Sequence, residues 1–248
     1  MPPPESLPPP AYYTEPGSRP VAPPRHPPQL IWEPPPPPQP RHVAPRTALW
    51  AGVRAGWFFP FGNIRAQGIP AGPFLARQGV PWSDFSASGP MVELDVGLRL
   101  ARSYALFALW ERAELGSGSS TALGQPDGGS TDFWGIGLRA SSDPNGIGFL
   151  TEIALGYRRA RADFRDGSAL ELTDGIFEAR LGVGADIRIN PHLSLSPMAT
   201  LGVGSFGEVE YVSPSGVGTN LIGPLDDQDA HGWFTIGVGG HLDLLGQR

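Results

Sequence analysis

Val92-Glu93-Leu94-Asp95-Val96-Gly97-Leu98-Arg99-Leu100 alternates an apolar residue with a polar one or glycine along its whole length. Successive side chains of a β-strand point to opposite faces. The stretch therefore predicts a strand with one apolar face, Val92, Leu94, Val96, Leu98 and Leu100, and one polar face, Glu93, Asp95, Gly97 and Arg99.

The same period of two recurs on both sides. Residues 49–61 give Leu49, Ala51, Val53, Ala55, Trp57, Phe59 and Phe61. Further faces begin at Trp134 in 132–140, Ile147 in 146–158, Phe177 in 176–189, Leu193 in 193–205 and Phe234 in 233–244. None of these faces carries a charge. In 104–115 two frames compete. We choose the frame with Tyr104, Leu106, Ala108 and Trp110 on the apolar face, which turns Glu111 inward but also Phe107 and Leu109. Eight strands result, with Pro197 inside one of them. About ten residues at roughly 3.3 Å each, tilted by about 40°, span some 25 Å, the height of a bilayer's apolar band.

The connections alternate in length. Short ones are Arg102-Ser103, 141–146 and 190–192; long ones are 62–90, 116–131, 160–174 and 207–231. This places both ends of the strand region and all short turns at one end.

The polar faces mix glycine with charge: Gly52, Arg54, Gly56; Arg180, Gly182, Gly184, Asp186. A narrow eight-stranded lumen needs small residues beside large ones. Arg54, Arg99, Arg139, Arg158, Arg180 and Arg188 match Glu93, Asp95, Glu152, Glu178, Asp186 and Asp243 in number. We expect a structural salt-bridge network inside the barrel, with no wide pore. Aromatics gather near strand ends: Trp50, Trp57, Phe59, Phe61, Trp110, Phe133, Trp134, Tyr157, Phe164, Trp233 and Phe234. Interfacial girdles have this distribution.

Composition sets off the first 46 residues, which hold 19 of the 30 prolines and one of the 34 glycines. Proline fixes φ and removes backbone donors. Residues 1–46 are thus expected to be a disordered proline-rich tail, and 47–248 one domain. All 18 basic residues are arginine and cysteine is absent, so no lysine-dependent chemistry, thiol nucleophile or disulfide is available. A net charge of −6 argues against nucleic acid as a partner. Met1-Pro2-Pro3-Pro4-Glu5 lacks the features of a secretory signal, so export is expected only if the true start lies upstream.

Strand number, alternation and loop asymmetry over about 48–245 resemble the small bacterial outer-membrane β-barrels of the protein A, protein X and protein W type. The resemblance implies an all-β, eight-stranded antiparallel up-and-down transmembrane β-barrel. It implies location in the outer membrane, the lipid bilayer as partner, a tail hanging in the periplasm within reach of a partner there, a monomer, and a non-enzymatic structural or surface-interaction role. Such barrels usually end on an aromatic residue, whereas this chain ends Leu242-Asp243-Leu244-Leu245-Gly246-Gln247-Arg248. On the long loops, Trp82, Phe85 and the cluster Asp226 to Asp229 are the expected exposed contact residues.

Two rival readings remain. A soluble lipocalin-like barrel would turn Leu94 inward and Asp95 to water around a hydrophobic ligand. A membrane-embedded lipid-modifying enzyme would need His241 near Ser194 or Ser196. Two motifs are set aside. Gly202-Val203-Gly204-Ser205-Phe206-Gly207 matches a dinucleotide glycine pattern but is followed by strand-forming residues. Asp227-Gln228-Asp229 opens like a calcium loop but has Val238 where the bidentate glutamate belongs. No catalytic, cofactor-binding or metal-binding residue is expected.

Overall fold

The computed structural model describes residues 43–64, 80–119, 124–174, 177–216, 218–222 and 230–247. The strands are β1 Thr47–Ile64, β2 Val80–Pro81, β3 Gly89–Ala101, β4 Tyr104–Leu115, β5 Pro126–Ser141 and β6 Ile147–Phe164. They continue with β7 Ala169–Asp174, β8 Glu178–Arg188, β9 Leu193–Val212, β10 Gly218–Ile222 and β11 Ala230–Gln247. All their pairings are antiparallel.

β1 pairs with β3 on one side and with β11 on the other, which closes the sheet into a ring. The order round it is β1, β3, β4, β5, β6, β8, β9, β11. β7 and β8 share one position in the wall. Both lie between β6 and β9, β8 against their short-turn halves and β7 against their far ends. The ring therefore has eight positions, and β2 and β10 are additions at the long-connection end.

Several strands outrun their expected limits. β6 reaches Phe164 and β9 reaches Val212. The segment 160–174, expected as a loop, is instead wall: β6 ends, residues 165–168 turn, and β7 returns. The first part of the expected loop 207–231, residues 207–212, is likewise strand. Strands of 16 to 20 residues exceed the nine to eleven or so that cross a bilayer, so the wall projects past the apolar band.

The faces are decided by Leu94, 47% exposed, beside Asp95, 6% exposed. Apolar side chains point away from the lumen, which removes the lipocalin-like alternative. In β4, Tyr104 and Leu106 are outside while Phe107, Leu109 and Glu111 are inside. Pro197 meets Val238 of β11, and the register with β8 skips from Gly184↔Met198 to Ile187↔Leu195. The ladder is interrupted where proline has no N–H to give.

The aromatic girdle needs correction. Trp57, Phe59, Phe61, Trp134, Tyr157 and Phe234 are exposed on the outer face, but Trp50, Phe133, Phe164 and Trp233 are buried inside. Trp110, Trp134 and Tyr157 form one cross-strand row. One step further out, the row Arg112, Asp132 and Arg159 replaces aromatic with charge. Past this line the wall reverses its polarity. Arg159 and Arg161 point out, while Ala160, Ala162, Phe164, Leu170 and Leu172 are buried inside.

Closure depends on glycine at the β1–β11 seam. Gly56 lies opposite Gly237, and a Cβ on Gly56 would collide with the Ile236 carbonyl oxygen and the Gly237 Cα. Gly56→Val is expected to abolish the compact, heat-modifiable gel species, while Ala55→Val on the outer face leaves it intact. Unboiled and boiled electrophoresis of the two variants checks this.

Candidate functional site

Every second residue of the eight wall positions enters the lumen, so charges two apart on one strand and level with charges on its neighbours are brought together. One linked series results. Glu178 Oε2 lies 2.5 Å from Arg158 Nε, and Arg158 Nη2 lies 3.1 Å from Glu111 Oε1. Arg180 Nη2 lies 2.9 Å from Glu111 Oε2 and 3.3 Å from Glu93 Oε2. Arg54 joins Glu93 at 3.1 Å to Glu152 at 3.3 Å. Arg139 Nη2 then joins Glu152 at 2.6 Å to Asp95 at 3.3 Å. All these side chains are buried.

A second cluster sits at the short-turn end. Asp243 accepts from Arg99 Nε at 2.9 Å and from Arg188 Nη1 at 2.6 Å. Asp186 is buried nearby and makes no ion pair among the described residues.

Glu111 was left out of the six acids matched by the sequence reading, yet it bridges two arginines. The signal was present, since the chosen frame of β4 turns Glu111 inward. The aromatic partners carried no comparable signal. The Arg139 guanidinium lies 4.8 Å from the Trp50 ring, and that of Arg158 lies 4.9 Å from Trp233 and 5.1 Å from Phe133. Such contacts help to hold desolvated guanidinium groups.

Beyond Arg158 the lumen becomes an apolar core of Phe58, Met91, Leu115, Phe164, Leu172 and Trp233 with its neighbours. Trp82 and Phe85, expected to be exposed on a loop, are buried in it at 0% and 2% exposure. Trp82 stacks on Phe206 at 5.6 Å and meets Trp233 edge-on at 5.2 Å. The short 3-10 turn Trp82–Asp84 folds this loop inward. The polarity of the wall explains why: with charge facing water outside, the inside of the projecting wall is a conventional core that aromatics fill.

No protein-family model matches the chain. No curated protein matches it. Among solved structures, Neisserial surface protein A is similar at a TM-score of 0.50 and 12% identity, covering 80% of this chain and 99% of that one. The fold is that of the small outer-membrane β-barrels. Outer membrane protein OprG from Pseudomonas aeruginosa gives 0.48 and 11%, covering 80% and 97%. The attachment invasion locus protein Ail of Yersinia pestis gives 0.40 and 9%, covering 78% and 99%.

The barrel places Ser196 Oγ 3.3 Å from His241 Nδ1, and His241 Nε2 lies 3.5 Å from Asp95 Oδ2. Arg139 also contacts His241 Nε2. Ser196 and His241 are buried inside the lumen, whereas acyl chains would meet the outer face. The cavity beside them is about 20 Å³, the size of one water. This arrangement orders a lumen histidine and gives a lipid no approach. Gly202–Gly207 lies within β9, so no helix N-terminus is aimed at a pyrophosphate. Among the described residues no group of three or more metal-ligating side chains is found. Asp226, Asp227 and Asp229 lie outside the described residues, as does the chain up to residue 42.

On the projecting wall, exposed charges pair across strands. Arg159 and Arg161 both reach Glu171, at 2.7 and 2.8 Å, and Arg112 reaches Asp132 at 3.2 Å. In the β6–β7 turn, Ser168 donates from its Oγ and backbone N–H to Asp166 and holds that carboxyl below its ordinary value.

Removing one partner from a buried ion pair costs about 3–5 kcal/mol, whereas an exposed pair is worth at most about 1 kcal/mol. Glu111→Leu leaves Arg158 and Arg180 each short of a carboxylate. It is expected to lower stability by about 3–5 kcal/mol, and Arg112→Met by about 1 kcal/mol or less. Urea midpoints of the protein refolded in vesicles measure both.

Proposed function

We propose that this chain is an outer-membrane β-barrel protein with a non-enzymatic, structural or surface-interaction role, and that its lumen passes no solute. The observation that carries this reading is the filled interior. A linked series of charges from Asp95 to Glu178 crosses the barrel, and an apolar core containing Trp82 and Phe85 closes the outer end. A porin-like channel would need water along that path.

The outward apolar band supports a bilayer as the surrounding medium. Leu94, Val96, Leu98, Ile136, Ile153 and Ile236 are all exposed on it. In water such a surface would be far larger than the apolar patches of soluble monomers. The aromatic row Trp110, Trp134 and Tyr157 marks the outer boundary, with Arg112 and Arg159 beyond it at headgroup level. Short turns then face the periplasm, and the proline-rich tail, which precedes β1, leaves from that side toward any periplasmic partner. The seam closes each barrel on itself, so a monomer is sufficient. The paired charges of the projecting wall, with the long connections, form the surface offered to the exterior.

Membrane fractionation and planar-bilayer recording test this together. The protein is expected in the outer-membrane fraction, to migrate differently boiled and unboiled, and to give no stepwise conductance. Trp82→Ala is expected to give none either, because the charged series below it remains. Fractionation with soluble protein, or discrete conductance steps from the parent chain, would contradict the proposal.

A further inference from the structure

The chain entering β1 does not leave the barrel sideways. Ala44 is fully buried and Pro45 is buried with it, although both precede the first strand. The Ala44 backbone N–H donates to Asn145 Oδ1 at 2.8 Å. Asn145 belongs to the turn between β5 and β6. In the ring of eight, β6 is four positions from β1 in either direction, so this turn lies across the mouth from the strand that Ala44 leads into. The segment must run beneath the lumen to reach it.

Local chemistry suits that path. A residue before proline is held extended, and proline fixes its own φ, so Ala44-Pro45 is preset as a straight piece. Three residues from Ala44 to Thr47 reach about 10 Å, and the Asn145 side chain covers part of the remaining width. Pro45 rests on Gly246 of β11, where a Cβ would come within 2.7 Å of the proline Cβ. The far anchor is itself fixed. Asp143 Oδ1 accepts from the Asn145 N–H at 3.0 Å, and the Pro144 carbonyl accepts from Arg188 Nε at 3.1 Å.

At the same short-turn end lies a polar cavity lined by Ser141, Ser194, Ser196, Asp186, Trp50 and His241. Of its lining atoms, Ser141 Oγ and Trp50 Nε1 are buried without a hydrogen-bonding partner among the described residues.

We propose that Val43–Arg46 is a strap that closes the short-turn mouth, latched by Asn145, and that its release exposes the polar residues of that end of the lumen to water and water-soluble reagents from that side. The strap couples the proline-rich segment to the barrel: whatever holds or pulls that segment acts on the latch. The inference rests on the barrel reading, and not on which membrane holds it.

Because the chain has no cysteine, single cysteines report access cleanly. Ser141→Cys replaces a buried residue of the cavity wall, and Ser142→Cys its exposed neighbour. Each is placed in the full chain, in the chain with Asn145→Ala, and in a chain lacking residues 1–45. The vesicle-embedded proteins are treated with a charged methanethiosulfonate reagent. One hydrogen bond is worth about 0.5–1.5 kcal/mol net, so Asn145→Ala is expected to speed Ser141→Cys labelling up to about tenfold. Deletion is expected to speed it at least as much, with Ser142→Cys unchanged. Equal Ser141→Cys rates in all three chains, with the heat-modifiable band retained, would overturn the strap. Absence of that band in the parent would overturn the barrel reading itself, and the strap with it.

Discussion

Hydrocarbon offers no hydrogen bonds, so a sheet within it must pair every backbone N–H and C=O internally. The seam between β1 and β11 meets that demand, running from Thr47↔Gln247 to Gly62↔His231. Once the sheet is closed, the period of two has only two destinations. Side chains go into the surrounding medium or into a lumen barely wide enough for them. The seam itself depends on Gly56 and Gly237, because each needs room where the partner backbone already lies.

The rest of the molecule follows from what lies outside the ring at each height. Below the row of Trp110, Trp134 and Tyr157 the outside is apolar, so charge is turned inward and must neutralise itself. Buried arginines are tolerable only with carboxylates and aromatic faces around them. Arg158 meets both conditions, with Glu178 and Glu111 on one side and Phe58, Phe133 and Trp233 on the other. Above that row the outside is charged, and the inside becomes a conventional apolar core. Arg158 stands where the two regimes meet. The same switch places Trp82 within the core.

Much of this was legible in the sequence. Alternating faces with no charge identified the strands, and the short turns gave their antiparallel order. The mixture of glycine and charge on the opposite faces gave the direction of the lumen. What escaped reading had physical causes. At the start of the segment 160–174, read as loop, β6 keeps its period of two but with reversed sign, Arg159 and Arg161 outside and Ala160 and Ala162 inside, and the dense charge hid the strand. Trp82 and Phe85 stand in a stretch without periodicity, and nothing local marks an aromatic that folds back into a core formed by strands far away in sequence. Glu111 was visible only after choosing between two frames of β4. The burial of Ala44 depends on Asn145, 101 residues away.

The orientation of the alternating faces is the central claim, and spin-label scanning of residues 92–100 in vesicles tests it most directly. With one nitroxide-labelled cysteine per variant, collisions with lipid-soluble oxygen should be frequent at Val92, Leu94, Val96, Leu98 and Leu100. They should be rare at Glu93, Asp95, Gly97 and Arg99. The inverse pattern, or accessibility that does not alternate, would contradict the account.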